Sequence, residues 1–186
     1  LSKDLVAKPG TSFFYNSGAS NLLGAIIEKA TGMGLLDFAN QFLFEPLGTE
    51  GGVWESFPSG GLFASGGLHL RAREWLKIGT LMLNEGHWAG KPILGADWVQ
   101  DSVQRACSTP GDPHASGYGY QWWLGGVRVN NHTWPCFYAA GWGDQYLFIL
   151  PDFDMIMVIN CGNFSWQPRI SPFDLVQEYM VRALES

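Results

Sequence analysis

No cluster of basic residues occurs anywhere in this chain, whose 11 lysines and arginines face 17 acidic residues for a formal charge of −6. Polyanion binding needs a concentrated positive stripe, so nucleic acid is excluded as a partner. Long apolar runs are missing too. The longest, residues 22–27 and 146–150, are far too short for a bilayer-crossing helix, and no membrane span is expected. Cysteine is scarce. Cys107, Cys136 and Cys161 are odd in number and form no C-x-x-C pair, which excludes a disulfide framework and a zinc knuckle and leaves small buried thiols. His69, His87, His114 and His132 are scattered, with no H-E-x-x-H or H-x-H pair, so no metal centre is expected. There is no G-x-G-x-x-G, no P-loop and no G-x-S-x-G elbow. Position 1 is leucine and no signal peptide follows, so the chain is expected to start inside a longer sequence.

What is present points to one domain of 186 residues, or a large piece of one. Apolar residues make up 46% and charged residues only 15%. Such a thin charged coat implies a large core, or apolar faces that meet another part of the protein. Residues 1–17 read as an extended lead-in with a turn at Pro9-Gly10. Ala19, Leu22, Leu23, Ile26, Ile27 and Ala30 follow the i, i+3, i+4, i+7 template and predict a helix over 19–31 with Gly32 as its left-handed cap. Further helices are expected over 35–44, 71–84 and 95–105, the one over 71–84 without a Ser, Thr or Asp cap. Residues 50–70 form a long Gly/Ser/Pro-rich loop, of a kind that usually wraps a site.

Strands are expected over 118–124, 127–129, 137–139, 146–150 and 155–159. Gly125-Gly126 reads as a two-residue hairpin turn, and Pro151-Asp152-Phe153-Asp154 as a second tight turn. The nearly all-apolar strands beside that second turn should be covered on both faces. A final helix presents Phe173, Val176, Met180 and Leu184 on one side. Helices, then an antiparallel meander, then a helix make an α+β pattern, with a mainly helical part over 1–112 and strands plus a terminal helix over 113–186. The sequons at Asn131 and Asn163 are short enough to arise by chance.

The richest local feature is Tyr15-Asn16-Ser17 at the mouth of the first predicted helix. A loop-to-helix junction holds side chains rigidly. A phenol there can relay protons when a neighbouring cation lowers its pKa from the ordinary value of about 10. On pattern alone, Tyr15 packs in the core and Ser17 caps the helix. The aromatics, 15% of the chain and dense over 118–148, are read as sheet packing or, alternatively, as the lining of a substrate cleft.

Family resemblance changes the weighting. Pro9-Gly10-Thr11 through Tyr15-Asn16-Ser17 to Thr31-Gly32 closely resembles the second signature block of the serine β-lactamase-like hydrolases. That superfamily includes class C β-lactamases, penicillin-binding proteins, family VIII esterases and nylon-oligomer amidases. Pro46-Leu47-Gly48, the stretch from Gly66 to Gly86, Tyr118-Gly119-Tyr120-Gln121-Trp122-Trp123 and Ala139-Ala140-Gly141-Trp142-Gly143-Asp144-Gln145 resemble later motifs in the right order. The resemblance implies a β-lactamase/transpeptidase-like fold, acyl transfer through a serine nucleophile, no cofactor and no metal. Tyr15 would exchange the proton of that serine with a lysine, and Ser17 would hydrogen-bond within the site. Ala140 and Gly141 match the third signature, and the Trp142 N–H would be an oxyanion donor. The cation usual in that third block is replaced by alanine, which points to neutral ester or amide substrates. Asp144 stands where relatives often carry glycine.

The family's Ser-x-x-Lys motif is missing: Leu5, Ile26, Glu74 and Trp88 stand three before Lys8, Lys29, Lys77 and Lys91. The motif would fall upstream, on the other half of the same protein or on another subunit. The expected chain is then a C-terminal portion, inactive alone, with apolar faces of the sheet and first helix left open. The alternatives are an aromatic-lined binding module, with Trp122 and Trp142 stacking the ligand, and a catalytically inactive family member.

Overall fold

A computed structural model describes residues 4–50, 52–164 and 170–184. Residues 1–3 of the lead-in and Ser165 of the second sequon lie outside the described residues. The lead-in turns at Pro9-Gly10, where Gly10 takes φ 79° and Thr11 donates to the Lys8 carbonyl. Helix α1 spans Ser17–Thr31. Asn16, extended at φ −146°, accepts from the Ala19 N–H and is its N-cap. Gly32 closes it at φ 71° with its N–H on the Glu28 carbonyl, as the glycine position predicts.

Helix α2, Leu35–Ala39, continues as a wide π turn over Asn40–Phe44. The Gly/Ser-rich stretch that follows is partly ordered: β1, Val53–Trp54, pairs antiparallel with β2, Leu68–His69. Helix α3, Ala72–Leu83, starts on Arg71 without a side-chain cap. Its Glu74 is covered by its neighbours at the molecular surface. Lys77 donates to its carboxyl (2.8 Å) and, with Arg71, holds it below the usual carboxylate range against the opposing effect of burial. The Glu50 N–H donates to the same carboxyl, which ties the preceding loop to α3.

A small hairpin, β3 His87–Trp88 and β4 Lys91–Pro92, leads to α4, Ala96–Ser102, shorter than expected. The main sheet is antiparallel. Its strands are β5 Cys107–Ser108, β6 Ala115–Tyr118, β7 Trp123–Val129, β8 His132–Gly141, β9 Gln145–Leu150 and β10 Met155–Ile159, in the order β10-β9-β8-β7-β6-β5. The chain closes with α5, Pro172–Leu175, a π turn over Val176–Val181 and α6, Arg182–Leu184.

Both faces of the sheet are covered, as the apolar run in β9 predicts. Phe148 and Leu150 pack with Phe173, Val176 and Val181 of the terminal helical segment. Ile149 points the other way, to Met82 of α3 and Val99 of α4, together with Phe137. Gly79 of α3 sits so close to the sheet that an added Cβ would lie 2.5 Å from Ile156.

Several expectations need correction. The strand expected over 118–124 is broken at 119–122. Gly125-Gly126 is not a turn; β7 runs straight through it. Those glycines permit close approach, since a Cβ would meet the His114 carbonyl oxygen at 2.2 Å on Gly125 and Thr133 at 2.4 Å on Gly126. The hairpin instead turns at Asn130-Asn131, where Asn130 supplies the left-handed conformation at φ 54°. In the terminal segment the buried residue after Val176 is Val181, while Met180 is exposed. A π turn has more residues per turn than an α-helix, so the buried position moves from i+4 to i+5. Leu184's side chain lies outside the description. Of the three cysteines only Cys136 is fully buried; Cys107 and Cys161 are half-buried, and all three are free.

The expected open face of the first helix is there, whereas the sheet is covered on both faces and open only at its margin. Leu22 (43% exposed), Leu23 (46%) and Ile26 (60%) form the uncovered apolar side of α1. At the sheet margin β10 is a Met/Ile/Val strand with a neighbour on one side only, among the described residues. No helix among them is long and apolar enough to cross a membrane.

Candidate active site

Tyr15 lies one residue before the α1 cap, and its side chain is half-exposed (50%), not in the core. Its ring stacks on Trp123 at a centroid separation of 5.6 Å and 24° between planes, and meets Tyr118 edge-on at 6.5 Å. Phe13 joins the same group, 5.2 Å from Tyr118 and 5.8 Å from Trp123. The lead-in is thereby fastened to the start of β7 by aromatic pairs, each contributing about 0.5–1.5 kcal/mol beyond area burial. Burial, with smaller contributions from Tyr15 and Cys107, pushes the Tyr118 phenol up to about 12. It therefore stays protonated across the working pH range and is a neutral neighbour for Tyr15. The ion pairs among the described residues lie elsewhere, on His69, Arg71 and Lys77. Ser17 is the exposed first residue of α1.

The β7–β8 ladder ends at Trp123↔Tyr138, because the chain before Trp123 leaves the sheet in a turn over residues 119–122. Ala139, Ala140 and Gly141 pair on with Leu147, Tyr146 and Gln145 of β9. Their other flank has no strand partner among the described residues. Ala140 lies two residues past Tyr138, hence on the same sheet face as Trp123 and Tyr138 and about 7 Å along the strand. The Ala139-Ala140-Gly141 end of β8 thus flanks a notch in the sheet, and Tyr15 stacks on Trp123, the β7 residue at which that notch begins.

Beyond Gly141, Trp142-Gly143-Asp144 make the turn into β9. Gly143 and Asp144 are both left-handed, at φ 80° and 61°. Asn163 fixes the turn, its backbone N–H donating to the Gly143 carbonyl (3.2 Å) and its side chain to the Asp144 carboxylate (2.9 Å). Gln145 adds bonds to the carbonyls of Gly143 (3.1 Å) and Cys161. Asp tolerates the left-handed region better than most residues, which explains how it stands in a glycine-like position. The Trp142 side chain is 73% exposed at the rim. Trp122, the other tryptophan of the binding-module reading, packs edge-on against Phe137.

Trp123 and Tyr118, the floor beneath Tyr15, were not singled out from sequence. The sequence marks them only as the two ends of an aromatic stretch that resembles a family strand motif. A separate cavity of about 200 Å³ lies between α1 and the 57–62 loop, lined by Asn21, Gly24, Glu28, Leu35, Phe57 and Leu62; none of the expected site residues borders it.

The Beta-lactamase family model matches residues 2–178, and the chain belongs to that family. It is 25% identical over 154 residues to the 6-aminohexanoate-dimer hydrolase of Paenarthrobacter ureafaciens, which covers 78% of this chain and 38% of that enzyme. Among solved structures it resembles a putative 6-aminohexanoate-dimer hydrolase from Bacillus anthracis (TM-score 0.73, 27% identity, 87% of this chain and 41% of that one). The octameric penicillin-binding protein homologue of Pyrococcus abyssi shares the fold (TM-score 0.73, 20% identity, 97% and 44%). The chain spans less than half the length of each of these three relatives.

Proposed function

We propose that these residues are the C-terminal portion of a serine hydrolase that cleaves neutral esters or amides through an acyl-enzyme, with the Ser-x-x-Lys nucleophile carried by upstream sequence. The observation that carries this reading is the half-exposed Tyr15 on Trp123, beside the notch where β8 loses its β7 partner. The attacking serine hydroxyl passes its proton to the Tyr15 oxygen as its oxygen bonds to the acyl carbon. The Trp142 N–H donates to the oxyanion of the tetrahedral intermediate. Collapse breaks the bond to the leaving group, which takes the proton from Tyr15. Water, deprotonated by the same phenolate, bonds to the acyl carbon; the bond to the serine oxygen then breaks, the acid leaves, and the serine oxygen takes the proton back from Tyr15. Ser17 hydrogen-bonds within the site and orients the lysine.

Ala139 and Ala140 offer no positive charge to a substrate carboxylate, so neutral acyl groups are favoured over penicillins. The relatives named for the 6-aminohexanoate dimer make linear amides the first amide class to assay. The open side of α1 and the free margin of β10 are the surfaces the upstream part covers.

The test is hydrolysis of p-nitrophenyl butyrate by a family-length protein containing these residues and by residues 1–186 alone. Turnover by the first and none by the second is expected. Full activity in the isolated 186 residues would exclude an upstream nucleophile, and no activity in either would favour the inactive-member reading.

A further inference from the structure

Residues 119–122 interrupt what sequence reads as one continuous strand. Gly119 packs so tightly against the end of α4 that a Cβ would lie 2.2 Å from the Ser102 carbonyl oxygen. The Tyr120 N–H donates to that same carbonyl (2.8 Å), and the Gly119 N–H donates to the Trp122 carbonyl (2.8 Å). The turn is therefore fixed to the scaffold at several points. Within it Gln121 adopts φ 67°, a left-handed conformation that glycine fills without strain and glutamine does not. A strained residue in a well-anchored turn needs a compensating role. Its side chain supplies one: the Gln121 Oε1 accepts from the Ser20 hydroxyl of α1 at 2.8 Å, across 101 positions of sequence.

Ser20 lies in the first turns of α1, five residues after Tyr15, and Gln121 lies two residues before Trp123. The same two segments are thus tied twice, by the Ser20–Gln121 hydrogen bond and by the Tyr15–Trp123 ring stack. An aromatic stack alone allows sliding and rotation. A second, directional tie one helical turn away removes that freedom and fixes where the phenol oxygen stands.

We propose that Gln121 is a positioning residue for Tyr15, its left-handed backbone aiming the side chain at Ser20 so that α1 and its tyrosine are locked over the notch. This rests on the hydrolase reading above. In the family-length protein, Gln121→Gly relieves the backbone and deletes the tie. Misplacement of a catalytic group by about 1 Å can cost up to about a hundredfold. We expect kcat for p-nitrophenyl butyrate to fall roughly ten- to hundredfold, with KM little changed and Tm unchanged or higher. Ser20→Ala should lower kcat similarly, Ser20→Thr should keep it, and the double variant should be no worse than either single one.

A Gln121→Gly enzyme with parental kcat, or a loss that Ser20→Ala does not reproduce, overturns the proposal and leaves the hydrolase reading intact. If the unmutated family-length protein hydrolyses no ester or amide tested, the hydrolase reading and this proposal fall together.

Discussion

Replacing Tyr15 by phenylalanine in the family-length enzyme is expected to lower kcat by about 10²–10⁴, the usual contribution of a positioned acid–base group. The substitution is well suited to the question. Phenylalanine keeps the ring that stacks on Trp123 and meets Tyr118, so the lead-in stays fastened and Tm should barely move. Only the oxygen is lost. Because the proton moves during bond formation and not during binding, kcat/KM should fall with kcat while KM changes little. Ser17→Ala should cost less, since in the proposed mechanism Ser17 orients a partner and does not itself hold the proton. A Tyr15→Phe enzyme retaining more than half of the parental rate would remove the phenol from the mechanism.

The second large effect concerns the platform under the site. Phe148 is fully buried in β9, stacked on Tyr146 (5.1 Å), edge-on to Phe173 (5.0 Å) and 5.5 Å from Tyr138. Phe148→Ala removes the ring at the centre of the layer that joins the sheet to the terminal helical segment. Large-to-small changes of this kind cost about 3–5 kcal/mol. A domain is stable by only about 5–15 kcal/mol, so this single change should consume much of the margin. Denaturant unfolding should show a lower midpoint with an unchanged slope. A loss below about 1 kcal/mol would mean that the layer repacks easily, contrary to the dense aromatic contacts seen.

Parts of this structure were legible in the sequence for identifiable reasons. The apolar spacing from Ala19 to Ala30 and the glycine at 32 report local geometry, and α1 with its left-handed cap follows them. The apolar runs on either side of Pro151 announced two strands covered on both faces. Local signals failed where a distant contact decided the outcome. Gly125-Gly126 resembles a turn until one sees that His114 and Thr133 occupy the space their side chains would need. The Met180-to-Val181 shift needs a π turn, which no propensity announces. Nothing in the local sequence marks Gln121 as left-handed; its turn is anchored through Tyr120 to the distant Ser102 carbonyl, and its side chain meets Ser20, 101 positions away.

The site was legible mainly through family resemblance. That resemblance marks Tyr15 and Ser17, which stand just before and at the start of α1, and Ala140, Gly141 and Trp142, which stand at the end of β8 and just beyond it. The structure adds what spacing could not give: the Trp123 and Tyr118 rings against the phenol, the flank of Ala139-Ala140-Gly141 that has no strand partner among the described residues, and the Asn163 contacts that hold the turn after Gly141.

The measurement that bears most directly on the central claim is labelling with a fluorophosphonate, which phosphonylates an activated serine and marks it for peptide mass analysis. In the family-length protein, the account predicts a single modified serine in sequence upstream of residue 1, within a Ser-x-x-Lys motif, and labelling that slows sharply in Tyr15→Phe. A phosphonylated serine within these 186 residues, or a labelling rate indifferent to the loss of the Tyr15 oxygen, would contradict it.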